Sequence, residues 1–455
     1  MDLNARNIVV VGLARSGLSA AQFLKARGAR VTITDQTCED ALGAAVQQAR
    51  ELGVGLEIGG HQAATLDAAD LIVISPGVPH TLSLFQEARE RGVPVIGEIE
   101  LASRFIQKPI VAVTGTNGKT TTTELLGRML AGSGLQVFVG GNIGNPLIQV
   151  VGRETGLDVI VVEVSSFQLD TIETFRPHVG VLLNITPDHL DRYPDMQAYI
   201  ASKGRLFMNQ LDTDFAICNG NDASVQKQCR QGAGHLYNFY SHPPLNGAPG
   251  QGAIITPCQV AVHAPGLQSA RFSLAHTALI GPHNRENIAA AILAALAVGG
   301  GPQAIQDALD TFQAPAHRME PVGEVRGVRF VNDSKATNVD AVIRALECFE
   351  TPVVLILGGR NKGYDFTRLG EQVRRRVRRL VAIGEAGDEI IRTLGRLPAG
   401  GAERAGDMAQ AVKLAFDAAQ KGDTVLLSPA CASFDMFANY AERGETFRRL
   451  VRELL

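Results

Sequence analysis

The sequence predicts an α/β protein of three domains with largely parallel sheets. Three observations lead there. Strand-like and helix-like patterns alternate from end to end, three apolar strands run straight into glycine-rich turns, and 455 residues exceed what a single hydrophobic core usually organises. The three strand-to-glycine starts are Ile8–Gly12, Ile110–Gly115 and Val353–Gly359.

The first domain is expected over residues 1–97. Ile8–Gly12 reads as a strand, Ser16–Arg27 as a helix, Arg30–Thr34 as a second strand ending at Asp35, and Leu71–Ile74 as a strand closing on Ser75-Pro76-Gly77. The turn Gly12-Leu13-Ala14-Arg15-Ser16-Gly17 is close to a dinucleotide-binding fingerprint. It departs from it at Ala14, where a glycine would let a pyrophosphate approach the backbone. An oxidoreductase would also need nicotinamide chemistry elsewhere, and no such constellation is seen.

The second domain is expected over 98–314. It opens with an amphipathic segment, Glu98–Phe105, and continues through the strands Asp158–Val164 and Val179–Leu183. The Pro/Gly-rich stretch His242–Gly252 reads as a surface loop. After the break Gly299-Gly300-Gly301-Pro302 and a short helix, the third domain is expected over 315–455, with strand Val328–Val331 and helix Val339–Cys348 before Val353–Gly359. The arginine run Arg374-Arg375-Arg376-Val377-Arg378-Arg379 is read as a solvated helix face running into a strand.

Composition narrows the class. Hydrophobic residues make up 45% and charged residues 20%, as in ordinary globular proteins, and the net charge of -3 argues against a broad nucleic-acid surface. The six cysteines carry no CxxC pair, so neither a zinc site nor a disulfide framework is expected, and a reducing cytoplasm is the natural setting. No basic segment precedes a long apolar run near the start, and no run has the length of a membrane span, so neither a secretory leader nor a membrane association is expected.

The chemistry begins at Val113-Thr114-Gly115-Thr116-Asn117-Gly118-Lys119-Thr120-Thr121. A strand, a glycine turn and a helix start aim several backbone N–H groups and the positive end of a helix dipole at one point, which suits phosphate. Lys119 can reach β- and γ-phosphate oxygens, and the Thr120 hydroxyl can ligate magnesium. Val113 stands where GxxxxGK[ST] has its first glycine, and the shorter GxxGKT that remains also suits an ordinary strand–turn–helix. Downstream, Glu163 ends an apolar strand, where a carboxylate is costly to bury unless paired or metal-bound. His189 follows the next strand in Asn184-Ile185-Thr186-Pro187-Asp188-His189-Leu190-Asp191. Two parallel strands would then deliver Glu163 and His189 to one sheet edge, where ligands bind in such folds.

These residues resemble the Mur ligase family, ATP-dependent amide-forming enzymes of bacterial peptidoglycan precursor synthesis. The resemblance rests on Gly115 to Thr120, Gly141-Asn142-Ile143-Gly144, Glu163 to Leu169, Asn184 to Asp191, His283-Asn284-Arg285-Glu286-Asn287 and His317-Arg318-Met319-Glu320, in the family's order. Asn332 to Asn338, Leu427 to Asp435, Arg443-Gly444 with Phe447, and the Gly12 to Ser19 start resemble its D-glutamate-adding branch.

The resemblance implies an N-terminal Rossmann-like domain receiving a UDP-linked substrate, a central ATPase-type domain and a C-terminal Rossmann-like domain receiving the amino acid. ATP would phosphorylate the alanine carboxylate of UDP-N-acetylmuramoyl-L-alanine, and D-glutamate would displace phosphate. ATP would contact Gly115, Thr116, Asn117, Gly118, Lys119, Thr120, Thr121, Asn284, Asn287, Arg318 and Asp333. Two Mg2+ ions are implied, on Thr120, Glu163, His189 and Lys203, the lysine carrying an N6-carbamate; Lys119, Glu163, His189 and Lys203 form the catalytic set. The UDP substrate is assigned Arg15, Ser16, Asp35, Ser75, Gly77, Asn142, Ser165 and His189, and D-glutamate is assigned Lys335, Thr337, Lys362, Ser433 and Tyr440. Arg318, near a domain boundary, suggests that closure completes the site. A cytoplasmic monomer acting on small molecules is expected. A related ligase for another amino acid, a nucleotide-binding regulator and an NAD-dependent oxidoreductase are the rival readings. Glu163, His189, Lys203 and Lys335 together speak against a mere binder, which needs no second magnesium.

Overall fold

A computed structural model describes residues 1–242, 251–395 and 401–454. They carry three sheets and gather into two compact units. One comprises Met1–Ile185, Gln197–Ala275 and Asn287–Leu309; the other comprises Thr186–Met196, His276–Glu286 and Asp310–Leu455.

The first unit holds two of the sheets. Strands β1 (Asn7–Val11), β2 (Arg30–Asp35), β3 (Gly55–Ile58), β4 (Leu71–Ile74) and β5 (Val95–Gly97) form a parallel sheet in the order β3-β2-β1-β4-β5. Helix α1 (Arg15–Ala26) follows the Gly12 turn and buries Gly17, Ser19, Ala20, Ala21 and Leu24, a face of mostly small residues that suits close packing.

The second sheet orders β14-β13-β12-β11-β10-β9-β6-β8-β7. Its strands are β6 (Ile110–Thr114), β7 (Val137–Gly141), β8 (Val159–Glu163), β9 (Val179–Leu182), β10 (Phe215–Asn219), β11 (His235–Tyr240), β12 (Gly252–Ile255), β13 (Gln259–His263) and β14 (Ala270–Ser273). β6 and β8 are buried throughout, as expected of strands covered on both faces. β13 and β14 add an antiparallel edge that the alternating pattern did not foresee.

In the other unit, β15 (Glu320–Val325), β16 (Val328–Asn332), β17 (Val353–Gly358), β18 (Val377–Ile383), β19 (Ala402–Arg404) and β20 (Thr424–Leu427) order β15-β16-β20-β17-β18-β19. All pairs but β15–β16 are parallel. Side chains of β17 alternate between two cores: Val353, Leu355 and Leu357 join one face, Val354 and Ile356 the other. The arginine run is a helix, Gly370–Arg376, passing directly into β18, as read from the sequence.

Two expectations change. Glu98–Phe105, expected to be amphipathic, shows no solvated acidic face: helix α2 (Glu98–Ser103) buries both glutamates. Glu100 is fully buried because the backbone N–H groups of Glu173, Thr174 and Phe175 and the Arg104 guanidinium all donate to its carboxylate. Such bonds offset the desolvation that would otherwise hold a glutamate at the surface. Cys218 of β10 and Cys229, 11 residues later at the end of helix Ala223–Cys229, form a disulfide; spacing alone does not reveal this strand–helix proximity. The loop expected at His242–Gly252 falls, over 243–250, outside the described residues, and Gly252 opens β12.

Candidate active site

In the first unit the site is built at the carboxyl ends of β6, β8 and β9. Between β6 and helix α3 (Lys119–Gly132) the chain turns through Gly115 and Gly118. Gly118 has φ +88°, and a Cβ there would lie 2.2 Å from the Asn287 side-chain oxygen, so only glycine fits. The turn is pinned to the end of β9 by Asn184. Its carbonyl accepts from the Thr116 N–H at 2.9 Å, its side-chain oxygen accepts from the Asn117 N–H at 2.9 Å, and its amide donates to the Asn117 carbonyl at 3.0 Å.

Lys119 Nζ donates to the carbonyls of Gly115 and Thr116 at 2.8 and 2.9 Å. The Thr120 hydroxyl donates to Glu163 Oε2 at 2.7 Å, and Asn142 Nδ2 to Glu163 Oε1 at 2.8 Å. Glu163 is 2% exposed, and among the described residues both hydrogen bonds to its carboxylate come from neutral groups. A buried anion so sparingly compensated, beside a hydroxyl oxygen, is a donor set that fits a hard divalent cation. Lys203, 1% exposed near the end of helix Met196–Gly204, donates to the Gly115 carbonyl at 2.9 Å and sits 4.7 Å from the Tyr199 ring centre. Tyr199, whose hydroxyl lies 3.1 Å from Thr116 Oγ1, was not read as part of the site; its place one helical turn before Lys203 was the available signal.

The same unit contains a cleft of about 400 Å³ lined by Arg15, Ser16, Asp35, Ser75, Gly77 and Asn142, all expected at the UDP substrate, and also by Thr37, His61 and Gln168, which were not. Ser165 and His189 are absent from that lining. Ser165 instead caps the helix Ser166–Leu169 in a reciprocal exchange with Gln168, and the Ser75 hydroxyl donates to the Gly12 carbonyl at 3.0 Å. Burial pushes the Asp35 carboxyl up, but the N–H groups of Leu13 and Thr37 outweigh it and hold the group below its ordinary value. Arg15 donates to Asn145 Oδ1 at 2.6 Å.

In the second unit the amino-acid candidates gather at the carboxyl ends of three adjacent strands. Lys335 and Thr337 follow β16, Lys362 follows β17, and Ser433 and Tyr440 follow β20. Lys335 Nζ stands 5.1 Å from the Tyr440 ring centre. Arg443, 1% exposed, donates to Ser334 Oγ at 3.0 Å, to the Ser334 carbonyl at 2.8 Å and to the Cys431 carbonyl at 3.1 Å, fastening the turns after β16 and β20 to one another. Burial lowers its pKa to about 10. Asp333 accepts from the Ser428 hydroxyl at 2.8 Å, and burial pushes its carboxyl up to about 7. Arg318 lies between His317 and Met319, both in left-handed backbone with φ 64° and 46°. Asn284 donates to the Ile280 carbonyl at 2.7 Å. His189 also has a left-handed backbone, φ 56°, and its N–H donates to Asp188 Oδ1 at 2.9 Å.

Comparison with known proteins identifies the family. Residues 6–97 match a family profile described as the MurD-like N-terminal domain of Mur ligases, 113–295 the Mur ligase middle domain, and 317–431 the Mur ligase glutamate ligase domain. The UDP-N-acetylmuramoylalanine–D-glutamate ligase of Desulfosudis oleivorans is 51% identical over 457 residues, covering 100% of this chain and 98% of that protein. The enzyme of the same name from Desulfatibacillum aliphaticivorans is 49% identical, covering 100% of both. Among solved structures, a pseudomurein peptide ligase type C from Methanothermus fervidus superposes with a TM-score of 0.63 at 20% identity, over 99% of this chain and 100% of that one. The UDP-N-acetylmuramate–alanine ligase of Thermotoga maritima does so with 0.61 at 18%, over 98% and 99%. These structures share the three-domain α/β fold. Matched along its whole length by such relatives, the chain belongs to the Mur ligase family, in the branch of the UDP-N-acetylmuramoylalanine–D-glutamate ligases.

Proposed function

We propose that this chain joins D-glutamate to the alanine carboxylate of UDP-N-acetylmuramoyl-L-alanine, with ATP cleaved to ADP and phosphate. The observation that carries the reading is the buried Glu163 carboxylate receiving the Thr120 hydroxyl directly after the phosphate loop. The chemical problem is to bring a γ-phosphate and a carboxylate, both anions, into contact. Lys119 would turn from the loop carbonyls to the phosphate oxygens, and the loop N–H groups and the start of α3 would offset charge as it moves.

Mur ligases use ATP and magnesium. Thr120 and Glu163 would hold one ion, and His189 and Lys203 a second, each supplying Lewis acidity. Lys203, buried beside the phosphate turn and matching the family's lysine in motif order, is read as an N6-carbamate, an oxygen-donor anion suited to magnesium. Asn284, Asn287, Arg318 and Asp333 would contact the nucleotide. The cleft lined by Arg15, Asp35 and Gly77 suits a UDP group, and Lys335, Thr337, Lys362 and Ser433 supply donors suited to two carboxylates. Boundaries at 97/98 and 314/315, a monomeric state and a cytoplasmic setting complete the proposal; among the described residues no helix is long and apolar enough to cross a membrane.

In the proposed sequence a carboxylate oxygen attacks the γ-phosphorus as ADP leaves; the glutamate amine then attacks the acyl carbon and phosphate leaves with that oxygen. Substrate labelled with 18O in the alanine carboxylate should therefore yield phosphate carrying one 18O. Unlabelled phosphate would overturn the acyl-phosphate route.

A further inference from the structure

Asp188 is 7% exposed, yet no expectation assigned it a task. Its carboxylate is held on several sides within the second unit. The Tyr364 hydroxyl donates to Oδ1, Asn338 Nδ2 donates to Oδ2 at 3.2 Å, and the His189 N–H donates to Oδ1 at 2.9 Å. The His189 ring nitrogen Nε2 stands 3.7 Å from Oδ2. Two side chains that reach Asp188 from elsewhere in the sequence, Asn338 and Tyr364, belong to two separate turns. Asn338 directly follows Thr337, and its side-chain oxygen caps helix Val339–Leu346 by accepting from the Ala341 N–H at 2.8 Å. Tyr364 lies two residues after Lys362 and closes that turn reciprocally with Asn361: its N–H donates to Asn361 Oδ1 at 2.8 Å, and its carbonyl accepts from Asn361 Nδ2 at 3.1 Å.

We propose that Tyr364 is a positioning residue: with Asn338 it clasps the Asp188 carboxylate, and so fastens the segment carrying His189 to the two turns carrying Thr337 and Lys362. This rests on the function proposed above, in which His189 binds magnesium and the two turns bind the amino acid. A carboxylate beside a metal-binding imidazole fixes its orientation, and such supporting partners carry a large share of metal affinity. Here the carboxylate is also bonded to the acceptor turns, so ordering them on the amino acid steadies His189, and by linkage the metal steadies them. The left-handed backbone at His189 needs such a restraint, because a non-glycine residue persists there only when its surroundings hold it.

The test compares wild type with Tyr364→Phe, which removes one hydroxyl and keeps the ring. In metal-free protein, amide hydrogen exchange over 186–196 should quicken in the variant while the unfolding midpoint stays within a few degrees. Mn2+ binding, read by electron paramagnetic resonance in the presence of ADP, should weaken about tenfold at one of the ion positions. In turnover, the KM for D-glutamate and the Mg2+ requirement should rise while the KM for the UDP substrate is unchanged. Asp188→Asn, which keeps shape but loses charge, should repeat the Mn2+ result. Mn2+ binding equal to wild type in both variants overturns the clasp, whatever the exchange shows. Loss of all three affinities together with a lowered midpoint also overturns it, since that marks general unfolding. Failure of wild type itself to release ADP on D-glutamate would instead strike the function proposal, leaving exchange and Mn2+ binding to decide the clasp.

Discussion

Lys203 shows how much a single buried side chain must be given to do. An ammonium at 1% exposure, bonded to the Gly115 carbonyl and facing the Tyr199 ring, stands at the root of the phosphate turn. Under the carbamate proposal, Lys203→Ala should cost on the order of 10²- to 10³-fold in turnover, as for other groups that stabilise transferring charge. Formate or acetate should restore part of it by supplying the missing oxygen donor. Steady-state rates with and without added acid check this, and normal activity in the variant would remove the carbamate. At this scale the sequence was informative where a motif is local. Gly115, Gly118, Lys119 and Thr120 are neighbours along the chain, so their chemistry is legible in order. Glu163 was legible because a glutamate ending an apolar strand needs a reason. Asp188 and Tyr364 were not, because each matters through a partner brought close by folding: Tyr364 meets Asp188 across 176 positions.

Strands and turns set the next scale. Buried strands such as β6, β8 and β17 announce themselves as continuous apolar runs, since a parallel sheet is covered on both faces. The antiparallel additions β13, β14 and β15 did not, because their burial is partial and their composition mixed. Helix α2 was misjudged for a related reason: glutamates signal solvent in a pattern, and tertiary N–H donors, those of residues 173–175 to Glu100 and that of Ile148 to Glu98, account for their burial. The turns after β16 and β20 depend on an element from the far end of the chain, helix Tyr440–Arg452, whose Arg443 binds both. Arg443→Met keeps apolar volume but strips the Ser334 and Cys431 carbonyls of their donor. Unfolding in urea should show a loss on the order of 2–4 kcal/mol. The KM for D-glutamate should rise about tenfold, equivalent to about 1.4 kcal/mol, with the KM for the UDP substrate unchanged. Unaltered stability and KM would mean that the two turns hold without the guanidinium.

For the whole molecule, three sheets follow the three glycine-turn starts in chain order, which is why the fold class could be read from alternation and punctuation alone. Pattern reading divides a chain into contiguous stretches, however. It had no means to foresee that Thr186–Met196 and His276–Glu286 pack with the C-terminal residues while their flanks belong to the other unit. The first of these segments carries His189, assigned to magnesium and the UDP substrate, and the second Asn284, assigned to ATP, so both belong to a different compact unit from Lys119 and Glu163. The cysteine pair of β10 makes the same point, since a bond between Cys218 and Cys229 needs a strand and a helix already in place.

The central claim is that the transferred phosphoryl group serves to couple one particular amine. It is tested most directly by ADP release from ATP with UDP-N-acetylmuramoyl-L-alanine and a panel of D- and L-amino acids. D-glutamate should support sustained release and the others little. Equal release without any amino acid, or preference for a diamino acid, would contradict the account.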